Sequence, residues 1–134
     1  MALWGVQAIQ TESAKGVLVV LEPDENVREA LQTLLQGRGW VIEAANEAQE
    51  LEDLLESLDI VAVISEASLP DCPAVEVLHA CAQRQVPVIF TGHNLTAQEA
   101  VDLILQGGHD YLEKPFQQER LMDLLKHLPN RQNE

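Results

Sequence analysis

Short unbroken apolar runs alternate along this chain with segments whose apolar residues recur every three or four positions, and that alternation predicts the fold. Val17 to Leu21 (VLVVL), Ile60 to Ile64 (IVAVI) and Val86 to Phe90 (VPVIF) have the pattern of strands buried on both faces of a parallel sheet. Trp40 to Ala44 reads as another strand, and the stretch Gly107 to Phe116 (GGHDYLEKPF) carries the last one. Between them lie helical stripes. Val27, Ala30, Leu31, Leu34 and Leu35 form the first, which Gly37 and Gly39 are expected to end by adopting positive φ. Asn46 is placed to cap a second helix with Ala48, Leu51, Leu55 and Leu58 turned inward, and Ala74 to Arg84 supplies a third. Thr96 and Glu99 make a capping box for a fourth, whose stripe is Ala100, Val101, Ile104 and Leu105 and which Gly107 and Gly108 stop. Leu121, Leu124, Leu125 and Leu128 form the last stripe, ended by Pro129. The order is βα five times over. Right-handed crossovers then predict an α/β, doubly wound, five-stranded parallel sheet with helices on both faces.

Length and charge narrow the picture. A chain of 134 residues with 46% hydrophobic content suffices for one core, so one domain is expected over residues 16–129, with a linker or arm over 1–15 and a short tail over 130–134. Trp4 and Ile9 could anchor the arm on a neighbouring domain, although a frayed terminus is the plainer reading. Eight basic residues against 22 acidic ones give a net charge of −14, which repels phosphate backbones and anionic lipid and excludes nucleic acid and membranes as partners. Cys72 and Cys81 have no further cysteines to complete a disulfide framework, and no apolar run approaches the roughly 18 residues of a membrane span. A cytoplasmic location is expected.

In sheets of this kind chemistry sits just beyond the carboxyl ends of the strands, near the topological switch point. There the sequence places Glu22, Pro23 and Asp24 after the first strand, Ser65 and Glu66 after the third, Thr91, Gly92 and His93 after the fourth, and Lys114 after the fifth. Three carboxylates and a lysine converge.

The segments VLVVLEPDENVREAL, DIVAVISEASLPD, VPVIFTGH and GGHDYLEKPF resemble the four blocks of response-regulator receiver domains of two-component signalling, over about residues 16–128. The resemblance implies a flavodoxin-like sheet of strand order 2-1-3-4-5 and a phosphoryl group received from a histidine kinase on an aspartate after the third strand. It also implies a Mg²⁺ held partly by an acidic pair after the first strand, a Thr or Ser hydroxyl after the fourth, a Lys after the fifth and a cis bond before the following proline. The residues depart from that pattern. The acidic pair falls on Glu22 and Pro23, and proline offers no side-chain ligand to a hard cation. Glu66 stands at the phosphoacceptor position, where an added methylene moves the carboxylate roughly 1.5 Å and a misplacement of about 1 Å can cost roughly 10²-fold in rate. Gly92 falls at the hydroxyl position, and Thr91 serves only with a one-residue gap. Tyr111 matches the switch aromatic, and Lys114 to Phe116 match the Lys-Pro-Phe block.

A degenerate receiver is therefore expected, not an enzyme, without a bound cofactor and with Mg²⁺ binding weakened or lost. It would act by binding a histidine kinase, a phosphotransfer protein or an output domain, or as a homodimer through the surface of the fourth helix, fifth strand and fifth helix. In one reading Glu66 reaches Lys114 and stands in permanently for a phosphoaspartate; in another the pair is an ordinary, partly exposed ion pair worth about 0–1 kcal/mol. Tyr111 is read as packed at a strand edge, with Gly92 leaving room for the ring to rest inward. The alternatives are a receiver still phosphorylated on Asp24 or Glu66, with Thr91 supplying the hydroxyl, and a small flavodoxin-like binding protein. The latter would need an anion-cradling loop where Glu22, Pro23 and Asp24 stand. Cys72, His79, Cys81 and His93 lack the spacing of a zinc site, and Cys81 reads as a core residue.

Overall fold

The computed structural model describes residues 15–128. The expected arm with Trp4 and Ile9, the stop at Pro129 and the tail lie outside the described residues. The elements run β1 Val17–Leu21, α1 Glu25–Gln36, β2 Val41–Ala45, α2 Ala48–Ser57, β3 Ile60–Glu66, α3 Ala74–Ala82, β4 Val88–Gly92, α4 Ala97–Leu105, β5 Asp110–Glu113 and α5 Gln118–Lys126. The five strands form one parallel sheet in the order β2-β1-β3-β4-β5.

The apolar runs are continuous because each strand supplies two cores at once. Successive side chains point to opposite faces of a strand. Val19 and Leu21 of β1, Val63 of β3 and Val88 and Phe90 of β4 pack with Leu51 and Leu55 of α2 and Val77, Leu78 and Cys81 of α3. Their neighbours Leu18, Val20, Ala62, Ile64 and Ile89, with Leu112 of β5, pack with Leu31 and Leu35 of α1 and Leu121 and Leu125 of α5. Each fully buried Leu contributes about 1.5–3 kcal/mol from area alone. Cys81 is indeed a core residue, and burial pushes its thiol up to about 12.

The elements depart from the sequence pattern at several positions. β4 begins at Val88 rather than Val86, because the Val86 N–H closes the end of α3 onto Cys81 and Pro87 has no N–H to give. β3 and β4 run two residues further than their apolar runs, to Glu66 and Gly92, since backbone pairing of Ser65 with Phe90 and Glu66 with Thr91 is indifferent to side-chain polarity. Glu47, not Asn46, is the residue before α2, and Glu50 Oε1 accepts the backbone N–H groups of both. Leu58 is exposed, because the chain leaves the helix there in an extended conformation. Gly37 is right-handed, and Gly39 takes the positive φ that reverses the chain.

The largest departure is α4. Its Thr96–Glu99 capping box is present as expected. Yet Leu103 packs on the α2/α3 core and Ala100 is half-buried, while Val101, Ile104 and Leu105 are 49%, 38% and 78% exposed. No residue of α4 is fully buried.

Candidate functional site

Each residue of the expected cluster is set by the end of a strand. The Glu22 N–H donates to Ala45 O, continuing the β1–β2 ladder by one residue. Glu66 closes β3, after which the Ala67 N–H donates to Thr91 O. The Lys114 N–H donates to Gly92 O at 2.7 Å, fixing the lysine beside β4, and the Lys114–Pro115 bond is cis. The strand ends thereby bring Glu22, Glu66 and Lys114 together over separations of 92 and 48 residues.

Lys114 Nζ donates to Glu22 Oε1 at 2.7 Å and to Glu66 Oε1 at 2.5 Å. The two glutamates are bound alike on their other oxygens as well. Glu22 Oε2 accepts the Asp24 N–H at 3.1 Å, and Glu66 Oε2 accepts the Ser68 N–H at 2.8 Å, each from the residue two positions on. All three side chains are largely buried, at 15% exposure for the lysine, 4% for Glu22 and 8% for Glu66. The glutamates are buried and the lysine is partly exposed, so the bridge is more enclosed than the plainer reading has it. Burial by itself would lower the Lys114 ammonium, but its bonds to Glu22 and Glu66 and their charges outweigh that, and its pKa is raised. No buried side-chain nitrogen or oxygen among the described residues lacks a hydrogen-bond partner.

Asp24 borders the same cleft but its carboxylate serves the helix. It is the N-cap of α1, accepting from the N–H groups of Asn26 and Val27. Arg28, which sequence reasoning did not single out, reaches back from the first turns of α1 to donate to the carbonyls of Glu22 and Pro23. Ser68, Asn94, Leu95 and Glu99 also went unremarked as site residues, yet with His93 they line the cleft of about 530 Å³ above Lys114. A carboxylate followed at two residues by a free backbone N–H is the one local signal that could have marked Ser68.

The two positions that compete for the hydroxyl role separate clearly in space. A Cβ built on Gly92 would lie 3.4 Å from Glu66 Oε2 and 3.3 Å from the Tyr111 hydroxyl, so position 92 faces the pocket. Thr91 is buried, and strand alternation aims it at the opposite face of the sheet. Tyr111 is half-buried, packs against the α2/α3 core and donates its hydroxyl to Glu113 Oε1 at 3.2 Å. Burial, then the Glu113 hydrogen bond and the charges of Glu113 and Glu66, push its phenol up to about 12. Among the described residues no group of three or more His, Cys, Asp or Glu side chains is arranged to hold a metal ion, the Cys72/His79/Cys81/His93 set included. None of the helices described is long and apolar enough to cross a membrane.

The family model for the response regulator receiver domain matches residues 17–126. The transcriptional regulatory protein FixJ of Bradyrhizobium diazoefficiens is 31% identical over 85% of this chain, which spans 57% of that protein. The putative response regulator NtrX-like of Rickettsia bellii is 31% identical over 81% of the chain, which spans 24% of it. The chain thus covers little more than half the length of the first of these relatives and about a quarter of the second. Among solved structures, full-length FixJ from B. japonicum superposes with a TM-score of 0.77 at 28% identity over 84% of this chain and 57% of that one. The beryllofluoride-activated NtrC4 receiver domain dimer also gives 0.77, at 27% identity over 84% of this chain and 94% of that one. With the 2-1-3-4-5 sheet and the lysine at the end of β5, these matches establish that the chain belongs to the receiver domains of two-component signal transduction.

Proposed function

We propose that this receiver is degenerate: it performs no metal-dependent phosphoryl transfer and works by binding protein in a state held by its own side chains. The observation that carries this reading is the Glu22–Lys114–Glu66 bridge, in which both oxygens of both glutamates already accept a hydrogen bond. Mg²⁺ demands near-octahedral oxygen coordination at short distances. The donor set does not fit it: the Pro23 side chain has no ligand atom, Asp24 caps α1, and Glu22 and Glu66 are joined to an ammonium that a cation would have to displace. Position 92, which faces Glu66, is a glycine and supplies no hydroxyl.

In this reading Glu66 supplies permanently the negative charge beside Lys114 that phosphorylation would supply on demand. The protein partner is a histidine kinase, a phosphotransfer protein or an output domain in the cytoplasm. The exposed Val101, Ile104 and Leu105 of α4 mark the contact surface, together with β5 and α5. Self-pairing of a receiver domain has a precedent in the NtrC4 receiver domain dimer.

The experiment is intact mass after incubation with acetyl phosphate and Mg²⁺, beside the double variant Pro23→Asp/Glu66→Asp as a positive control. The expected result is no phosphoryl gain on the natural chain and a gain on the variant. A gain on the natural chain, mapped to Asp24 or Glu66, overturns the proposal in favour of a receiver that is still phosphorylated.

A further inference from the structure

At the amino-terminal edge of the sheet, the end opposite Lys114, lies a hollow of about 380 Å³ lined by Lys15, Arg38, Trp40, Met122, Leu125 and Lys126. Three independent parts of the chain build it. The Lys15 N–H donates to Gly39 O just before β1, Arg38 sits in the turn between α1 and β2, and Lys126 is the last residue of α5. Three of the eight basic residues of a chain with net charge −14 therefore gather in one place, with no carboxylate in the lining. Their side chains make no ion pair within 4.0 Å among the described residues, and all three are exposed. Between them Trp40 and Met122, both half-buried, and buried Leu125 form an apolar floor continuous with the α1/α5 core.

A like-charged cluster of this kind is unfavourable to assemble unless an opposite charge completes it, and its apolar floor calls for a side chain rather than a bare anion. An extended polyphosphate does not suit it: beyond these three cations it would meet the acidic surface of the rest of the chain. We propose that this hollow docks a short acidic segment of a partner protein, with two or three carboxylates over Lys15, Arg38 and Lys126 and an apolar side chain between them on Trp40. The surface is distinct from the Lys114 pocket and from the α4 face, so it provides a second point of attachment on the opposite end of the domain.

The test is fluorescence anisotropy of a short fluorescein-labelled peptide alternating Glu and Leu, titrated with the natural chain and with Arg38→Glu/Lys126→Glu. Both substitutions lie on exposed side chains, and circular dichroism checks that the variant folds. In parallel, the Trp40 indole N–H resonance is followed by NMR, assigned against Trp4→Phe. The expected result is saturable binding at low salt that weakens at least tenfold in the charge-reversed variant, falls as salt rises, and moves the Trp40 resonance. No binding at low salt, equal binding by the variant, or an unmoved Trp40 resonance overturns the proposal. So does displacement by inorganic phosphate at the peptide's own concentration, or sedimentation showing that a second copy of this chain fills the hollow instead.

Discussion

Helix α4 touches two regions of opposite character, the Lys114 pocket through Glu99 and the outer surface through Val101, Ile104 and Leu105. The pocket is charged yet internally paired: Glu22 and Glu66 are buried, Lys114 is half-buried, and each has its partners within the chain. The outer face of α4 is apolar yet open, with Leu105 78% exposed. The usual association of charge with surface and apolar groups with interior is inverted in both places. What the contrast teaches is where this domain's interactions are completed. The pocket is satisfied internally and sets a state; the helix face is left for another surface to cover.

The sharpest way to break that contrast is to open the pocket. Lys114→Ala leaves Glu22 and Glu66 buried side by side without a counter-charge, and a loss of about 3–5 kcal/mol is expected in urea unfolding. A loss below about 1 kcal/mol would mean that the bridge behaves as an exposed pair. Gly92→Thr tests the crowding in the same pocket. The Cβ alone would come within 3.3–3.4 Å of the Tyr111 hydroxyl and Glu66, so the further Thr atoms displace one of them at about 1–3 kcal/mol. Because Tyr111 is the only tyrosine in the chain, its ionisation can be read by ultraviolet absorbance. It should move from about 12 toward the usual value of roughly 10 as the ring swings out; an unmoved titration rules out displacement of Tyr111.

Alkaline pH probes the pocket without mutation. The Lys114 pKa is raised in the folded state, so its stabilisation is fully present below the unfolded-lysine value of roughly 10.4 and is lost as pH rises through the folded one. Tyr111, also raised, acts in the same direction between about 10 and 12. The urea midpoint should therefore fall above about pH 10, and fall less steeply in Lys114→Ala and in Tyr111→Phe. Equal steepness in all three proteins would remove these groups as the cause. The smallest effect on folding is expected at the other pole of the comparison. Leu105→Glu should change stability by no more than about 0.5 kcal/mol while weakening self-association or partner binding, measured by sedimentation and pull-down. A large loss of stability would show that α4 does depend on that face.

Sequence pattern reached β1, the βα order and the inward Leu31, Leu35, Leu51, Leu55, Leu121 and Leu125 because burial on the sheet leaves a periodic signature in the residues themselves. It misplaced the ends of β3 and β4, where the strands continue through polar residues. It misread α4 for a related reason: Val101, Ile104 and Leu105 form a stripe as regular as that of α1, and periodicity alone cannot say whether a stripe meets the sheet or a partner. At the site, Glu22, Glu66 and Lys114 were named as neighbours from their places after the strands. The division of each carboxylate between the lysine and a backbone N–H two residues on was not legible.

The sequence by itself determined the layered α/β fold and the family resemblance, because these follow from local periodicity and from side-chain types at strand ends. Only the tertiary structure decided that both glutamates bind Lys114, that Gly92 rather than Thr91 faces Glu66, and that Val101, Ile104 and Leu105 of α4 turn outward. The physical reason is range. Hydrophobic patterning acts between near neighbours in the chain, whereas the pocket joins residues 48 and 92 positions apart whose geometry exists only once five strands lie in register.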